Sequence, residues 1–243
     1  MPSPQRTSFG SASLRAPAGR SPCAPEAARV LFDLDGTLTD PREGITASLR
    51  FAFERLGLPS PPEAVLAGAI GPPLGDTFRA HLPHAASDLV ARAIDLYRER
   101  FAAEGWRENA VYPHVPDLLA ALRARGWPAA VATSKPTVFA ERITRHLGLR
   151  EHFAAVYGSE LDGTRGAKPE LLAHVLAAER AAPERTVMIG DRRHDVEGAR
   201  AVGARAIAVT WGYGARDELE RAGADWICDT AEEVLAALDS ALR

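Results

Sequence analysis

The chain has 243 residues, of which 46% are hydrophobic and 25% charged, and its formal net charge is -3. That length can bury a sizeable core, and the near-neutral charge gives no electrostatic reason to expect nucleic acid or a membrane surface as a partner. Cys23 and Cys228 form neither a CxxC pair nor a disulfide framework, and there is no spanning-length apolar run or apolar leader; a cytoplasmic monomer or homodimer acting on small molecules is expected.

Residues 1–28 are rich in Pro, Ser, Ala and Arg and hold no acidic residue before Glu26, so the sequence predicts a disordered tail. Its prolines speak against the amphipathic helix of an organelle transit peptide. From Arg29 the pattern changes to short apolar runs separated by helical stretches, the alternation of a parallel sheet covered by helices. Val30 to Leu34, Trp127 to Ala132, Phe153 to Tyr157, Thr186 to Ile189 and Ala206 to Thr210 read as buried strands, with Trp226 to Cys228 as an edge strand. The predicted fold is α/β: a doubly wound, Rossmann-like parallel sheet over residues 29–42 and 110–243. Residues 43–109 offer no convincing strand and read as an all-helical insert. Ile45, Leu49, Ala52, Phe53 and Leu56 share one helical face there, as do Leu89, Ala93, Leu96 and Phe101, and Gly71-Pro72-Pro73 makes a turn between them.

The first strand ends in Asp33-Leu34-Asp35-Gly36-Thr37-Leu38, which puts two carboxylates at the carboxyl end of an apolar strand, where open parallel sheets bind ligands. Adjacent like charges are costly unless a cation joins them or one takes a proton, and Mg²⁺ suits an all-oxygen site. A calcium loop counted from Asp33 fails, because Leu38 and Gly44 stand where glycine and glutamate are needed. Of the 29 basic residues only Lys135 and Lys168 are lysines, and both directly precede a proline; arginine serves elsewhere, which suggests that these two positions need a compact ammonium.

The Asp33–Leu38 motif resembles the first signature of the haloacid dehalogenase superfamily, and three further landmarks follow in order. Thr133 and Ser134 match its hydroxyl-bearing second motif, Lys168 before Pro169 matches the third, and Gly190-Asp191-Arg192-Arg193-His194-Asp195 matches the acidic fourth. The resemblance implies a Mg²⁺-dependent phosphatase in which Asp33 is the nucleophile and becomes phosphorylated, while Asp35 is the acid and base. It further implies that Asp33, the backbone carbonyl of Asp35 and Asp191 hold the metal, and that Asp195 supports Lys168 or the metal waters or ligates directly. Thr133, Lys168 and the backbone N–H groups around Gly36 and Ser134 would bind the phosphoryl oxygens. Thr133 is alternatively a helix N-cap, and Lys135 either lies near the phosphate or sits on the surface at a helix start.

The spacing of about a hundred residues between Asp33 and Thr133 is similar to that of superfamily members with a helical cap. Over its length from Val30 the chain resembles the phosphoglycolate phosphatase and 5′-nucleotidase-like branch, through Ile70 to Leu74, Ser134 to Pro136 and Gly158 to Thr164. The resemblance implies a small phosphorylated metabolite as substrate, 2-phosphoglycolate first, with nucleotides or sugar phosphates as alternatives. Gly71, Pro72, Pro73, Leu74 and Arg79 are the substrate candidates in the cap. A phosphomutase would use the same residues, and a binding protein without turnover would need one of them displaced. The seven histidines read as surface or packing residues, with His194 alone near the site, and Trp211 to Gly214 reads as a loop and not a dinucleotide fingerprint.

Overall fold

The computed structural model describes residues 28–82 and 86–242. The tail expected over residues 1–28 lies, apart from Ala28, outside the described residues. In chain order the elements are β1 (Arg29–Phe32), β2 (Thr39–Asp40), α1 (Arg42–Arg55), α2 (Glu63–Gly68), α3 (Leu74–His81), α4 (Ser87–Arg100), a π-helical turn (Phe101–Gly105) and β3 (Ala110–Val111). They continue with α5 (Val115–Ala124), β4 (Ala129–Pro136), α6 (Thr137–His146), β5 (Val156–Ser159), α7 (Lys168–Glu179), β6 (Thr186–Gly190), α8 (Arg193–Ala201), β7 (Arg205–Val209), α9 (Arg216–Ala222), β8 (Trp226–Cys228) and α10 (Ala231–Ala241).

Six strands form one sheet in the order β5-β4-β1-β6-β7-β8, with every pairing parallel. The chain winds outward from β1 to one edge and then returns to build the other, which makes a doubly wound sheet with its switch point at β1. Alternate residues feed opposite faces. Val30, Phe32, Val187, Ile189, Ile207 and Val209 join one apolar cluster, whereas Leu31, Met188, Ala206 and Ala208 join a second with residues of α7, α8 and α9. Strands buried on both sides read as unbroken apolar runs, which is why the sequence revealed them. No described helix is long and apolar enough to cross a membrane.

The strand limits differ from expectation at two places that matter. β1 ends at Phe32, although the Asp33 N–H still donates to Ile189 O at 2.9 Å. β4 starts two residues later than expected and runs through Thr133-Ser134-Lys135 to Pro136, with its register against β5 shifting between Ala132 and Pro136. Such a bulge lengthens the exposed edge of a strand and re-aims its side chains, a device frequent beside active sites. Helix α6 begins only at Thr137, so Thr133 is a strand residue and not the helix N-cap that was its alternative reading.

Between β2 and β3 every described regular element is helical. The two strands pair antiparallel, Thr39 with Val111 and Asp40 with Ala110, so the helical segment leaves and re-enters the sheet domain at neighbouring backbone positions. Its apolar residues Leu49, Phe53, Phe78 and Leu96 are buried and belong to the same cluster as Val30 and Phe32 of β1 and as Leu34 and Leu38 of the turn after it, the last two fully buried. Truncating either of those leucines to alanine is expected to cost about 2–5 kcal/mol.

Candidate active site

The carboxyl edge of the sheet gathers the four motifs. Asp33 and Asp35 follow β1, Thr133 and Ser134 lie in the bulge of β4, and Asp191 follows β6. Lys168 opens α7 and Asp195 lies in the first turn of α8. Asp33, Asp35, Thr133, Lys168, Asp191 and Asp195 are all buried.

The turn after β1 is tied by Leu34 O, which accepts from the N–H groups of Leu38 and Thr39 at 3.0 Å each. Gly36 has φ of +83°, a conformation that favours glycine, and a Cβ at this position would overlap the Asp191 carboxylate. Its N–H donates to Thr39 O at 2.8 Å. Of the N–H groups expected to bind phosphate around Gly36, the one of Gly36 itself is thus committed inside the turn, and the glycine leaves room for Asp191.

Asp191 is held from two sides, its Oδ1 accepting from the Thr37 hydroxyl at 3.2 Å and its Oδ2 from the Tyr213 N–H at 2.7 Å. The loop that supplies Tyr213 is anchored by Trp211, whose indole N–H donates to Thr37 O at 3.1 Å. Burial pushes the Asp191 carboxyl up to about 8, with the charges of Asp195 and Asp33 adding to it. Asp195 accepts the Arg192 N–H through Oδ2 at 3.1 Å, and burial raises it too, against the opposing pull of Lys168.

Lys168 links the parts. Its ammonium donates to Ala132 O at 3.0 Å and stands 3.2 Å from Asp33 Oδ1 and 2.7 Å from Asp195 Oδ1. The two carboxylate contacts are close charge pairs without hydrogen-bond alignment, so both oxygens keep lone pairs for another partner. Burial works against the Lys168 charge, but the two carboxylates outweigh it and hold its pKa above the ordinary lysine value.

Asp33, Asp191 and Asp195 each offer one carboxylate oxygen, all within 4.8 Å of one another. Three buried acidic groups so close together are unstable without a balancing charge, and Lys168 supplies only one. The donor set is oxygen only, which fits a hard divalent cation.

The remaining groups line a cavity of about 640 Å³ roofed by the helical segment. From the sheet domain come Asp33, Asp35, Thr133, Ser134 and Lys135; from the helical segment come Gly71, Pro72, Pro73, Leu74 and Arg79. Arg79 is exposed and paired with Asp76, three residues before it on α3. Arg98 on α4 also lines the cavity and donates to Leu161 O at 2.6 Å, while Arg192 reaches Ile70 O, so two arginines join the helical segment to loops of the sheet domain. His194 is half-buried and is not among the lining residues.

Lys135 was left open by the sequence, and the structure removes the surface alternative. Its side chain is only 7% exposed and its ammonium lies 2.7 Å from Asp35 Oδ2. Asp35 Oδ1 is buried without a partner among the described residues. Burial raises the Asp35 pKa, with Lys135 opposing. The sequence shows Thr37 only as part of the first motif, and Trp211 and Tyr213 only as loop residues, without the contacts to Asp191 and Thr37 found here; the scarcity of lysine is the signal for Lys135.

The profile of the haloacid dehalogenase-like hydrolase family matches residues 30–209. The chain belongs to that family. Among its relatives is a protein of Pseudomonas aeruginosa named 5′-nucleotidase, 51% identical over 191 residues that cover 78% of this hydrolase and 86% of the relative. A Mycobacterium tuberculosis protein named tyrosine-protein kinase PtkA is 44% identical over 192 residues; these cover 79% of this hydrolase but only 65% of PtkA. A crystal structure described as a predicted phosphatase from Clostridium acetobutylicum superposes with a TM-score of 0.84 at 37% identity, covering 88% of this hydrolase and 99% of that chain.

Proposed function

We propose that this hydrolase cleaves phosphate monoesters through an aspartyl-phosphate on Asp33, with Mg²⁺ held by Asp33, Asp191 and the backbone carbonyl of Asp35. The observation that carries the reading is Asp33 itself, a buried carboxylate that meets both the Lys168 ammonium and the acidic cluster while facing the cavity. Bound Mg²⁺ would supply charge that masks the repulsion between carboxylate and phosphate.

In the first half-reaction an Asp33 oxygen bonds to phosphorus as the bond to the leaving oxygen breaks, and Asp35 delivers its proton to that oxygen. In the second, Asp35 takes a proton from water as the water oxygen attacks phosphorus; inorganic phosphate leaves and Asp33 is regenerated. Lys168 and the Thr133 hydroxyl offset charge on the phosphoryl oxygens. The contact of Asp195 with Lys168 at 2.7 Å supports a role in fixing that lysine.

The helical segment acts as a cap that excludes water and reads the part of the substrate beyond the phosphate. A 5′-nucleotide is the substrate favoured by the size of the cavity and its apolar wall of Ile45, Leu49, Tyr97, Phe101 and Phe139, together with the name of the P. aeruginosa relative. 2-Phosphoglycolate is the second reading, favoured by Arg79 at the cavity wall, a group able to pair with a carboxylate. Phosphate release from a panel of 5′-nucleotides, sugar phosphates and 2-phosphoglycolate, with and without Mg²⁺, tests both. No release from any of them, or release indifferent to Mg²⁺, would end the reading.

A further inference from the structure

The only two lysines of the chain divide the first motif between them: Lys168 meets Asp33, and Lys135 meets Asp35. The second pair is placed by three distant parts of the chain. Lys135 lies in the bulge of β4, Asp35 in the turn after β1, and the Lys135 ammonium also stands 4.6 Å above the ring of Phe101, where α4 passes into the π-helical turn. A π turn departs from the α-helical repeat, and such departures recur at functional sites. Phe101 is itself fixed by Phe139 of α6, edge-on at 5.2 Å, and by Tyr97, stacked at 5.5 Å.

A short carboxylate beside a cavity can turn about its side-chain bonds, and each turn moves its oxygens out of line with a reacting atom. Here one oxygen, Oδ2, pairs with an ammonium at 2.7 Å, and the other, Oδ1, is buried with no partner among the described residues. The ammonium cannot shift freely either, because an aromatic face from the helical segment lies over it. Arginine, used at every other basic position, would have to fit a larger planar group between Asp35 and Phe101.

We propose that Lys135 is a positioning residue: it fixes Asp35 so that its carboxyl group meets the leaving oxygen of the substrate, and its seat on Phe101 makes that alignment depend on the helical segment being docked. The proposal rests on the phosphatase reading above. Lys135 transfers no proton; it acts through Asp35, which gives its proton to the ester oxygen as the phosphorus bond to that oxygen breaks.

The leaving group tests it. p-Nitrophenolate departs without needing a proton, whereas the alkoxide of a nucleoside 5′-monophosphate does not. With the full-length enzyme and saturating Mg²⁺, Lys135→Met should lower kcat/KM for the nucleotide by about 100-fold, in the range of a lost general acid. The fall for p-nitrophenyl phosphate should be at least about tenfold smaller, the difference that a disabled acid and not a disabled nucleophile produces. Asp35→Asn should show the same selectivity, Lys135→Arg should recover part of the nucleotide rate, and Phe101→Leu should shift the ratio in the same direction by less. Thermal unfolding of each variant checks that the fold is retained. Equal losses for both esters, or no loss, would overturn the proposal alone, and an unshifted ratio in Phe101→Leu would overturn its link to the helical segment. A wild-type enzyme that cleaves neither ester would overturn the phosphatase reading and the proposal with it.

Discussion

Lys168 Nζ stands 2.7 Å from Asp195 Oδ1 at a site where both side chains are 3% exposed. A guanidinium is wider and planar and cannot enter that space without displacing Asp33 or Asp195. Lys168→Arg should therefore reduce kcat by about 10²-fold or more, the scale of a lost charge-stabilising donor. Lys135→Arg, which keeps a charge beside the more accessible Asp35, should lose much less. Equal, small losses in the two variants would count against the role given to Lys168.

The pH dependence of metal binding follows from Asp191. Its pKa rises from 3.8 to about 8 because it is buried, so the folded, metal-free protein holds a proton that the unfolded chain releases near pH 4. The sign is the reverse of the usual salt-bridged carboxylate: stability of the metal-free protein is lost as pH rises from about 4 to about 8. Mg²⁺ has to expel the same proton, so its apparent affinity should rise about tenfold per pH unit up to about 8 and then level off. Calorimetry in buffers of different ionisation enthalpy counts the protons released; an affinity independent of pH from 6 to 8 contradicts the argument.

Gly212 packs against the back of Asp191, where a Cβ would overlap both the carboxylate and Gly36 O. Gly212→Ala must push Asp191 away from Thr37 and the Tyr213 N–H. The expected result is a 10- to 100-fold rise in the Mg²⁺ concentration needed for half-maximal activity, the usual scale for disturbing a group behind a metal ligand. A Mg²⁺ titration of variant and wild type reads it directly.

Asp33→Asn removes the nucleophile while preserving shape. Phosphate release should fall to background, and acid-quenched wild-type protein, unlike the variant, should carry a phosphoryl group detectable by mass spectrometry on the peptide containing Asp33. Turnover by a wild-type enzyme that never carries this adduct would exclude the covalent route.

Strands buried on both faces were legible because each is a short apolar run, and the acid groups were legible because they end those runs. The roles of Thr37, Trp211 and Tyr213 were not, since they lie in contacts between residues apart in the chain: Thr37 meets Asp191 and Trp211 across more than 150 residues, and Tyr213 meets Asp191 across 22. The neighbourhood of Trp211 and Tyr213 looks like ordinary turn sequence, and the motif around Thr37 draws attention to its aspartates instead. The state of the Gly36 N–H is hidden for a related reason: the resemblance implies only that N–H groups around Gly36 bind phosphate, and the folded turn reveals that Thr39 O has taken the hydrogen of Gly36 itself. Lys135 could be suspected from composition but not placed, because the bulge that carries it into the site arises from a register shift between β4 and β5.

The antiparallel pairing of Asp40 with Ala110 has a corollary for engineering. Everything between those two residues is spliced into the sheet domain at a single point, so an exchange of that stretch for one of another length leaves the hydrogen-bonded seam intact. Such an exchange would carry the reaction over only where the incoming stretch again lays an aromatic ring over Lys135, as Phe101 does here. A chimera cut at this seam would test whether substrate preference travels with the stretch.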